Sequence, residues 1–424
     1  MIYVHGPGTR ALWTLFVAAS VILLVSCIQS TRTPGKGAAP SPGLAFVDYR
    51  HLNGGPDGIA LMDLDPESPD FGKIIQQVEM GPGVLPHHLY FNRDQSKLYN
   101  TALGGERLYE VGLERDANGF PTITEVTPID VGDNFVGEDI YFTEDGSRFY
   151  MTFMGGGGGE RDGTVGLFDA KTDQLIEVIS APEPTEPGSD TPFILYPHGI
   201  SANEELGLLM VTSSQPPTGA DYGNTVTTID MKTNRPIKTQ LVADGPDDRS
   251  LPVEVMLLRD GLPPYALAST TIGGDVWIAP YDEESNTFGD FVKVVDGEQE
   301  GLGVALEFYI HTSHAGRKEL YISFGAPGVI NVYSLDFLPE LRLKRTLPAG
   351  PGAHHMSFFE TRSGREVVVV QNNLLNIEGL NAGTLMVVDI HTGEVLNTLD
   401  MKATYGLLPE SIEAAFGHGH DVHH

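Results

Sequence analysis

The sequence predicts an all-β fold, a seven-bladed β-propeller, and three observations support this prediction. A short phrase ending in an apolar strand returns along the chain at intervals of roughly 50 residues, which is the repeat length of propeller blades. Its first apolar residue is, in successive units, Leu89, Ile140, Ile200, Val255, Phe308 and Met356. Each unit continues with further short apolar strands bounded by turn residues, and helical periodicity is almost absent.

The composition fits one large domain and limits the possible partners. The chain has 424 residues, of which 50 are glycine and 29 proline, and 41% are hydrophobic, as expected for many turns around a well-filled core. Its formal net charge is -31, which repels nucleic acid and anionic membrane surfaces. We therefore expect no nucleic acid partner. A small-molecule substrate is expected, and the sequence identifies no protein partner.

The N-terminal residues resemble the leader of a bacterial lipoprotein. An apolar run from Ala11 to Val25 leads to Leu24-Val25-Ser26-Cys27, which fits a lipobox and predicts a signal peptide over 1–27 with lipidation of Cys27. Residues 28–43 predict a flexible tether and 44–424 the propeller. The expected protein is exported and held at a bacterial membrane only through this lipid, in the periplasm or at the cell surface; an uncleaved anchor is the alternative.

The ring is expected to close with N-terminal and C-terminal strands sharing one blade. The first folded segment, from residue 44 to residue 78, reads as outer strands without an inner one. The tail Phe416 to Val422 repeats the phrase of the inner strands, so we predict that Val422 occupies the place of Leu89. The glycine run 155–159 predicts a hairpin, and segments 182–196 and 214–224 predict long loops over one mouth of the channel.

Histidines recur at one place in the repeat. Because the inner strands run in the same direction around the channel, residues at equivalent positions form a ring near one mouth. The first position holds His87, Glu138, His198, His354 and His420, and the second holds His88, Asp139, Gly199, Glu254, Glu307, His355 and Asp421. Imidazole binds copper, zinc, iron or nickel, so this pattern predicts a transition-metal site. The alternative is that these are ordinary turn or channel histidines.

We assign each candidate a role on this basis. The predicted metal ligands are His87, His88, His198, His354, His355 and His420. Glu138 and Glu254 are predicted to orient imidazoles or to act as a base, with solvent-bound channel residues as the alternative. His311 and His314 are expected to be ordinary surface residues, and His391 a turn residue.

Several phrases resemble the selenium-binding protein and methanethiol oxidase family. They are Ala60 to Phe71 followed by Leu85-Pro86-His87-His88, then Leu251 to Val255, and His420-Asp421-Val422. The resemblance implies a seven-bladed propeller that binds copper through histidines, with His87, His88 and His420 as ligands, and the oxidation of a small thiol such as methanethiol by oxygen. The chain departs from the family pattern because residues 126–142 contain no histidine, and His198 and His354-His355 are additional.

Three functions follow as hypotheses. The first is copper-dependent oxidation of a small sulfur compound, with Glu138 or Glu254 accepting a proton. The second is a lactonase-like, metal-dependent hydrolase, which the phrase Pro351 to His355 resembles. The third is a surface propeller that binds a metal or a partner without catalysis. The fold alone does not choose among them.

Overall fold

The computed structural model describes residues 43–117, 119–155, 163–180, 191–215, 222–375, 377–416 and 422–423. These residues form seven separate antiparallel sheets arranged as the blades of a β-propeller, so the predicted fold class and blade number are confirmed. Among the described residues, no helix has the length and apolar character needed to cross a membrane.

The blades are built almost entirely from short strands. In the first half of the chain these are β1 (Leu44–His51), β2 (Asp57–Asp63), β3 (Ile74–Gly81), β4 (Pro86–Phe91), β5 (Lys97–Ala102), β6 (Leu108–Arg115), β7 (Pro121–Pro128), β8 (Phe135–Phe142), β9 (Arg148–Gly155), β10 (Thr164–Asp169), β11 (Gln174–Ile179), β12 (Ile200–Asn203), β13 (Leu208–Ser213), β14 (Thr225–Asp230) and β15 (Arg235–Leu241). In the second half they are β16 (Pro252–Leu257), β17 (Tyr265–Thr270), β18 (Val276–Asp282), β19 (Thr287–Phe288), β20 (Val292–Val295), β21 (Gly303–Thr312), β22 (Lys318–Ala326), β23 (Val329–Ser334), β24 (Arg342–Pro348), β25 (Ala353–Glu360), β26 (Glu366–Asn372), β27 (Thr384–Asp389), β28 (Val395–Asp400), β29 (Leu407–Ala414) and β30 (Val422–His423). Two short helices, α1 (Gly297–Glu300) and α2 (Met401–Tyr405), lead into β21 and β29.

Strands that follow one another in the chain form six of the seven blades. These blades are β4–β7, β8–β11, β12–β15, β16–β20, β21–β24 and β25–β28, and the remaining sheet has the order β29-β1-β2-β3. The strands β4, β8, β12, β16, β21, β25 and β29 contact one another from blade to blade in a closed circle, so they are the inner strands. Outer strands such as β3 alternate between more buried and exposed residues, as expected for a face in water.

The ring closes, as predicted, with N-terminal and C-terminal strands in one blade, but a different C-terminal segment supplies the inner strand. The inner strand of the first blade is β29, which pairs with β1 from Ala45 opposite Ala414 onwards. The expectation that Val422 fills this place is wrong, because Val422 pairs with Ile310 of the sixth blade. The segment at 407–414 supplies a full buried strand, whereas the tail supplies only two residues of strand, so β29 removes far more apolar surface from water.

The main apolar clusters lie between neighbouring blades. Each of the seven largest clusters among the described residues combines side chains from two adjacent blades, and together they go once around the ring. Phe149 and Phe168, for example, stack with their ring centroids 4.7 Å apart in the cluster between the second and third blades. Each blade is therefore held mainly by its neighbours, as expected for a repeat architecture.

Some predictions fall outside the described residues. They are the signal peptide, Cys27 and most of the tether, all within 1–42, most of the glycine run within 156–162, parts of the two long loops within 181–190 and 216–221, and His420 within 417–421.

Candidate metal centre

The inner strands carry β-bulges where the sequence places the candidate ligands. In β25, His354 and His355 together lie opposite the single residue Gln371, and in β4 His87 is the extra residue. Consecutive residues of a regular strand point to opposite faces, and a bulge breaks this alternation. Both members of each pair consequently turn into the channel, with ring centroids 3.8 Å apart for His354 and His355 and 4.2 Å apart for His87 and His88.

A left-handed backbone residue precedes most of these positions. Two residues before the first ring position, φ is positive at Leu85, Val136, Tyr196, Leu251 and Val304, and at the corresponding Gly352. A branched residue such as valine adopts this conformation at a cost of order 1–3 kcal/mol, so the surrounding structure must enforce it. The shared turn fixes the direction in which each blade presents its next two side chains.

Five of the predicted ligands come together in one buried cluster. The ring centroid of His87 lies 4.2 Å from that of His88, 6.1 Å from that of His198 and 6.0 Å from those of both His354 and His355. Of the three cluster histidines that contact a glutamate, His198 has the most accessible side chain, at 13%, whereas those of His87 and His354 are at 3% and 4%. The second, fourth and seventh blades therefore deliver these imidazoles to one place.

Two glutamates lie against these rings. Glu138 Oε2 is 3.1 Å from His87 Nε2 and 3.4 Å from His198 Nε2. On the other side, Glu307 Oε1 is 3.2 Å from His354 Nε2. Glu307 shares the second ring position but was not among the predicted site residues, although its place in the repeat gave the signal.

Glu254 lies beside Glu307 and contacts the backbone of its own strand. Its Oε1 accepts a hydrogen bond from the backbone N–H of Val255 at 2.7 Å, and its carboxyl group bonds to that of Glu307. The neighbouring position in the fourth blade is Gly199, and a Cβ there would lie 2.8 Å from Glu254 Oε1 and 2.5 Å from the carbonyl oxygen of Val253. Glycine is thus required at this close contact between the fourth and fifth blades.

A buried relay fixes the tautomer of His88. Its Nδ1 contacts the hydroxyl of Tyr90, which donates to Asp139 Oδ1 at 2.5 Å, while Asp139 Oδ2 accepts from the N–H of Ile200 at 2.9 Å. Because the Tyr90 proton is given to Asp139, the tyrosine oxygen accepts from His88 Nδ1–H. The Nε2 lone pair of His88 is then left for a metal, in the arrangement usual for metal-binding histidines.

Burial determines the protonation state of the cluster. It lowers the pKa of His87 to about 3 and the pKa of His88 well below its ordinary value, and it lowers the pKa of His198 against the opposing charge of Glu138. Burial also raises the pKa of Glu138 to about 7, although neighbouring imidazoles oppose the shift. The three imidazoles are therefore neutral at neutral pH, which is the form that binds metals.

The donor atoms fit a transition metal. Nδ1 of His87, Nε2 of His88 and Nδ1 of His198 are buried and have no hydrogen-bond partner within the described part of the chain. Buried polar atoms are normally satisfied, so these ring nitrogens call for a partner. Among the described residues, donor atoms within 4.8 Å of one another form three groups, which are His87, His88 and His355; His87, Glu138 and His198; and Glu307, His354 and His355.

The ring is chemically uneven. In the first blade, β29 places Glu410 at the ring position of His87, where it forms an ion pair with Arg50. Because the sequence reading put the tail in this blade, it missed Glu410. At the same position the fifth and sixth blades carry Val253 and Leu306, which belong to one apolar cluster with Leu374. At this ring position the fifth and sixth blades therefore carry apolar side chains rather than metal donors.

Three histidines outside this cluster converge on one carboxylate. Glu366 accepts from the backbone N–H of His314 at 2.9 Å and lies 3.3 Å from His311 Nε2 and 2.7 Å from His391 Nε2. The expectation that His311 is a surface residue is wrong, since it is buried and its ring stacks on that of Phe358 with centroids 4.5 Å apart. This network joins the sixth and seventh blades.

Comparison with known proteins identifies the fold but no family. No family model and no curated protein matches this chain. A hypothetical selenium-binding protein from Sulfolobus tokodaii is similar in structure, with a TM-score of 0.68 and 16% identity over 90% of this chain and 95% of that one. The periplasmic gluconolactonase of Pseudomonas aeruginosa follows with a TM-score of 0.54 and 16% identity, over 84% and 94%. A putative 6-phosphogluconolactonase from Bacteroides fragilis gives 0.53 and 14%, over 87% and 97%. At these identities the likeness concerns the fold alone.

Proposed function

We propose that this chain is a copper-binding propeller that oxidises a small thiol. The observation that carries the proposal is the cluster of five buried histidines from three blades, in which ring nitrogens of His87, His88 and His198 have no hydrogen-bond partner within the described part of the chain. Nitrogen and carboxylate donors without a thiolate suit copper, and zinc, iron or nickel are the alternatives. The resemblance of the Leu85 to His88 phrase to methanethiol oxidases is a second, independent support.

In this reaction the metal and the glutamates would have different chemical roles. Bound copper supplies the one-electron redox chemistry that protein side chains lack. Glu138, whose pKa burial raises to about 7, would accept the thiol proton at Oε1, because its Oε2 lies against His87 and His198. Glu254 is less suited to this role, since burial and the charge of Glu307 raise its pKa well above its ordinary value and keep it protonated.

The apolar side of the ring favours a small substrate with an alkyl group. Val253 and Leu306 occupy the ring position that carries His87 in the second blade, and both are buried in one apolar cluster. A methyl or ethyl substituent loses little by desolvation on such a surface, whereas the hydroxyl groups of a sugar lactone would lose their water hydrogen bonds. This contrast favours a thiol over a lactone as the substrate.

The lactonase hypothesis keeps one specific support. A metal held by imidazoles next to a carboxylate with a pKa of about 7 also suits attack of water on a carbonyl, with Glu138 as the base. Redox chemistry separates the two hypotheses. A non-catalytic, metal-binding or partner-binding propeller would show neither activity.

The test uses the full chain, purified without a histidine tag and loaded with limiting copper. Oxygen uptake with methanethiol that depends on copper supports the oxidase, and lactone hydrolysis with zinc and no oxygen uptake supports the hydrolase. The double variant His87→Ala and His88→Ala should lose the metal and keep its β circular dichroism spectrum. His391→Ala is the matched control, because this half-exposed histidine lies outside the cluster. Full metal content in the double variant would refute the site.

We also propose that the protein is exported and attached to a bacterial membrane through a lipid on Cys27. The lipobox phrase Leu24 to Cys27 supports this, and the tether 28–43 gives the propeller reach from the surface. Mass spectrometry of the membrane fraction should find a lipidated N-terminal Cys27, and Cys27→Ala should release the protein from that fraction. An unmodified cysteine in the membrane fraction would contradict the proposal.

A further inference from the structure

We propose that the cluster is a two-ion centre that holds two copper ions per chain rather than one. The inference rests on the proposed function, since it concerns the same histidines, and it extends the site from a single ion to a pair. Two of the three donor groups have no residue in common. We call the group of His87, Glu138 and His198 the first triad, and the group of Glu307, His354 and His355 the second triad.

The number of donors exceeds what one ion uses. The two triads together with His88 offer seven side chains, whereas copper and zinc sites in proteins take three to five ligands. A single ion would therefore leave at least two of these seven side chains outside its ligand set. With three or four ligands per ion, the seven side chains suffice for two ions.

Each triad has the composition of a separate site. The first triad has two imidazoles and Glu138, whose Oε2 is 3.1 Å from His87 Nε2 and 3.4 Å from His198 Nε2. The second triad repeats this composition, with Glu307 Oε1 at 3.2 Å from His354 Nε2. Two imidazoles with one carboxylate form a common ligand set for a divalent ion, and one carboxylate at each position offsets part of each ion's charge.

The triads are adjacent and a third group links them. The ring centroid of His87 lies 6.0 Å from those of both His354 and His355. His88 is close to both sides, with its centroid 4.2 Å from that of His87 and 4.5 Å from that of His355. His88 Nε2, directed by the Tyr90 relay, can therefore complete either position.

The fold explains why the two triads come from opposite parts of the ring. The first triad comes from the second, third and fourth blades, and the second triad from the sixth and seventh blades. The bulges allow the paired histidines of β4 and β25 to present two donors each, so that three blades supply five imidazoles. Regular strands in the same places would direct only one histidine of each pair into the channel.

The experiment counts ions and tests their proximity. The full chain is titrated with Cu²⁺ alone, and bound copper is measured by elemental analysis after gel filtration. We expect two copper ions per chain. The integrated electron paramagnetic resonance signal should rise with the first equivalent and fall short of two spins after the second, because neighbouring Cu²⁺ ions couple magnetically.

Variants that remove one triad each show which donors hold which ion. Glu138→Gln with His198→Ala should bind one copper at the second triad, and Glu307→Gln with His354→Ala should bind one at the first triad. Both should give one full spin per chain, and His391→Ala should bind two copper ions like the wild type. Circular dichroism and urea unfolding check the fold, and the single isosteric variant Glu307→Gln replaces the double variant if that one is unfolded.

The possible failures are distinguishable. One copper per chain in the wild type overturns the two-ion inference and leaves the proposed function standing. No copper in the wild type overturns both. Loss of all copper in either triad variant while its fold is intact would mean that the donors form one shared site, which also overturns the inference.

Discussion

Substituting Gly199 by alanine tests whether the fourth and fifth blades fix the geometry of the site through a close backbone contact. A Cβ at this position would lie 2.5 Å from the carbonyl oxygen of Val253, 2.8 Å from Cα of Glu254 and 2.8 Å from its Oε1. The first two are backbone atoms, which cannot turn away as a flexible side chain can. The start of the fourth blade must therefore move away from the fifth by roughly half an ångström or more, since carbon atoms in contact prefer about 3.5 Å.

The size of the effect follows from this overlap. Forcing extra atoms into a packed interior typically costs 1–3 kcal/mol, so Gly199→Ala should lower the free energy of unfolding by about 2 kcal/mol. His198 precedes the substituted residue and Glu254 receives the contact, so copper affinity should fall as well, by roughly tenfold for a displacement that costs about 1.4 kcal/mol of binding free energy.

The assay is urea unfolding followed by tryptophan fluorescence, together with copper titration of the same preparation. Gly245→Ala is the matched control, because a Cβ there meets no atom within 4 Å and this variant should differ from the wild type by less than about 0.5 kcal/mol. A Gly199→Ala protein with the stability of the control and wild-type copper affinity would refute the close approach of the two blades.

Three further predictions concern the packing and charges of the blades. Phe149→Ala should lower the free energy of unfolding by about 3–5 kcal/mol, because it empties a fully buried position between two blades, and urea unfolding measures this. Burial opposes the ionisation of Glu319, but hydrogen bonds led by Arg345 lower its pKa from 4.5 to about 2, so its contribution is present above pH 4.5 and lost as the pH falls towards 2. Glu319→Gln should therefore flatten the loss of stability in that range, by at most about 3 kcal/mol and by less where solvent screens the pair; an unchanged acid limb would contradict this. The hydrogen bond to Glu360 raises the pKa of the exposed His314. At pH values below 6.5, where the imidazolium is present in both the folded and the unfolded state, His314→Gln should therefore lower the urea concentration at the midpoint of unfolding. At pH values above the raised pKa the substitution should have no effect.

The repeat made the fold and most of the site predictable. Six units with equivalent strand positions predict the ring, and the same spacing predicts that His87, His198 and His354 lie close together. The prediction for the inner strand of the first blade is wrong because the tail repeats the histidines of the phrase, whereas Leu408-Pro409-Glu410 repeats its leucine and proline without a histidine. The segment 407–414 forms the inner strand because it covers more apolar surface than two tail residues can.

The finer geometry of the site depends on contacts that no local pattern encodes. The sequence shows adjacent histidines, and strand alternation would send one of each pair away from the channel. The bulges reverse that expectation, and they arise from the pairing of β4 and β25 with their neighbours rather than from the histidines themselves. The same holds for Glu254 and Glu307, which occupy one repeat position. Glu307 Oε1 lies 3.2 Å from His354 Nε2, whereas Glu254 Oε1 accepts a hydrogen bond from the N–H of Val255.

The distribution of the bulges separates what belongs to the fold from what belongs to the chemistry. The left-handed residue occurs at Leu251 and Val304, in blades whose first ring residue is apolar, as well as at Leu85, in a blade that carries two histidines. The bulged turn is therefore a property of the repeat, and it presents whatever two side chains follow it to the channel. The side chains at these inward-facing positions then determine the chemistry of the channel. This explains how propellers that share only 14–16% identity with this chain retain its architecture while their ring residues, and hence their chemistry, are free to differ.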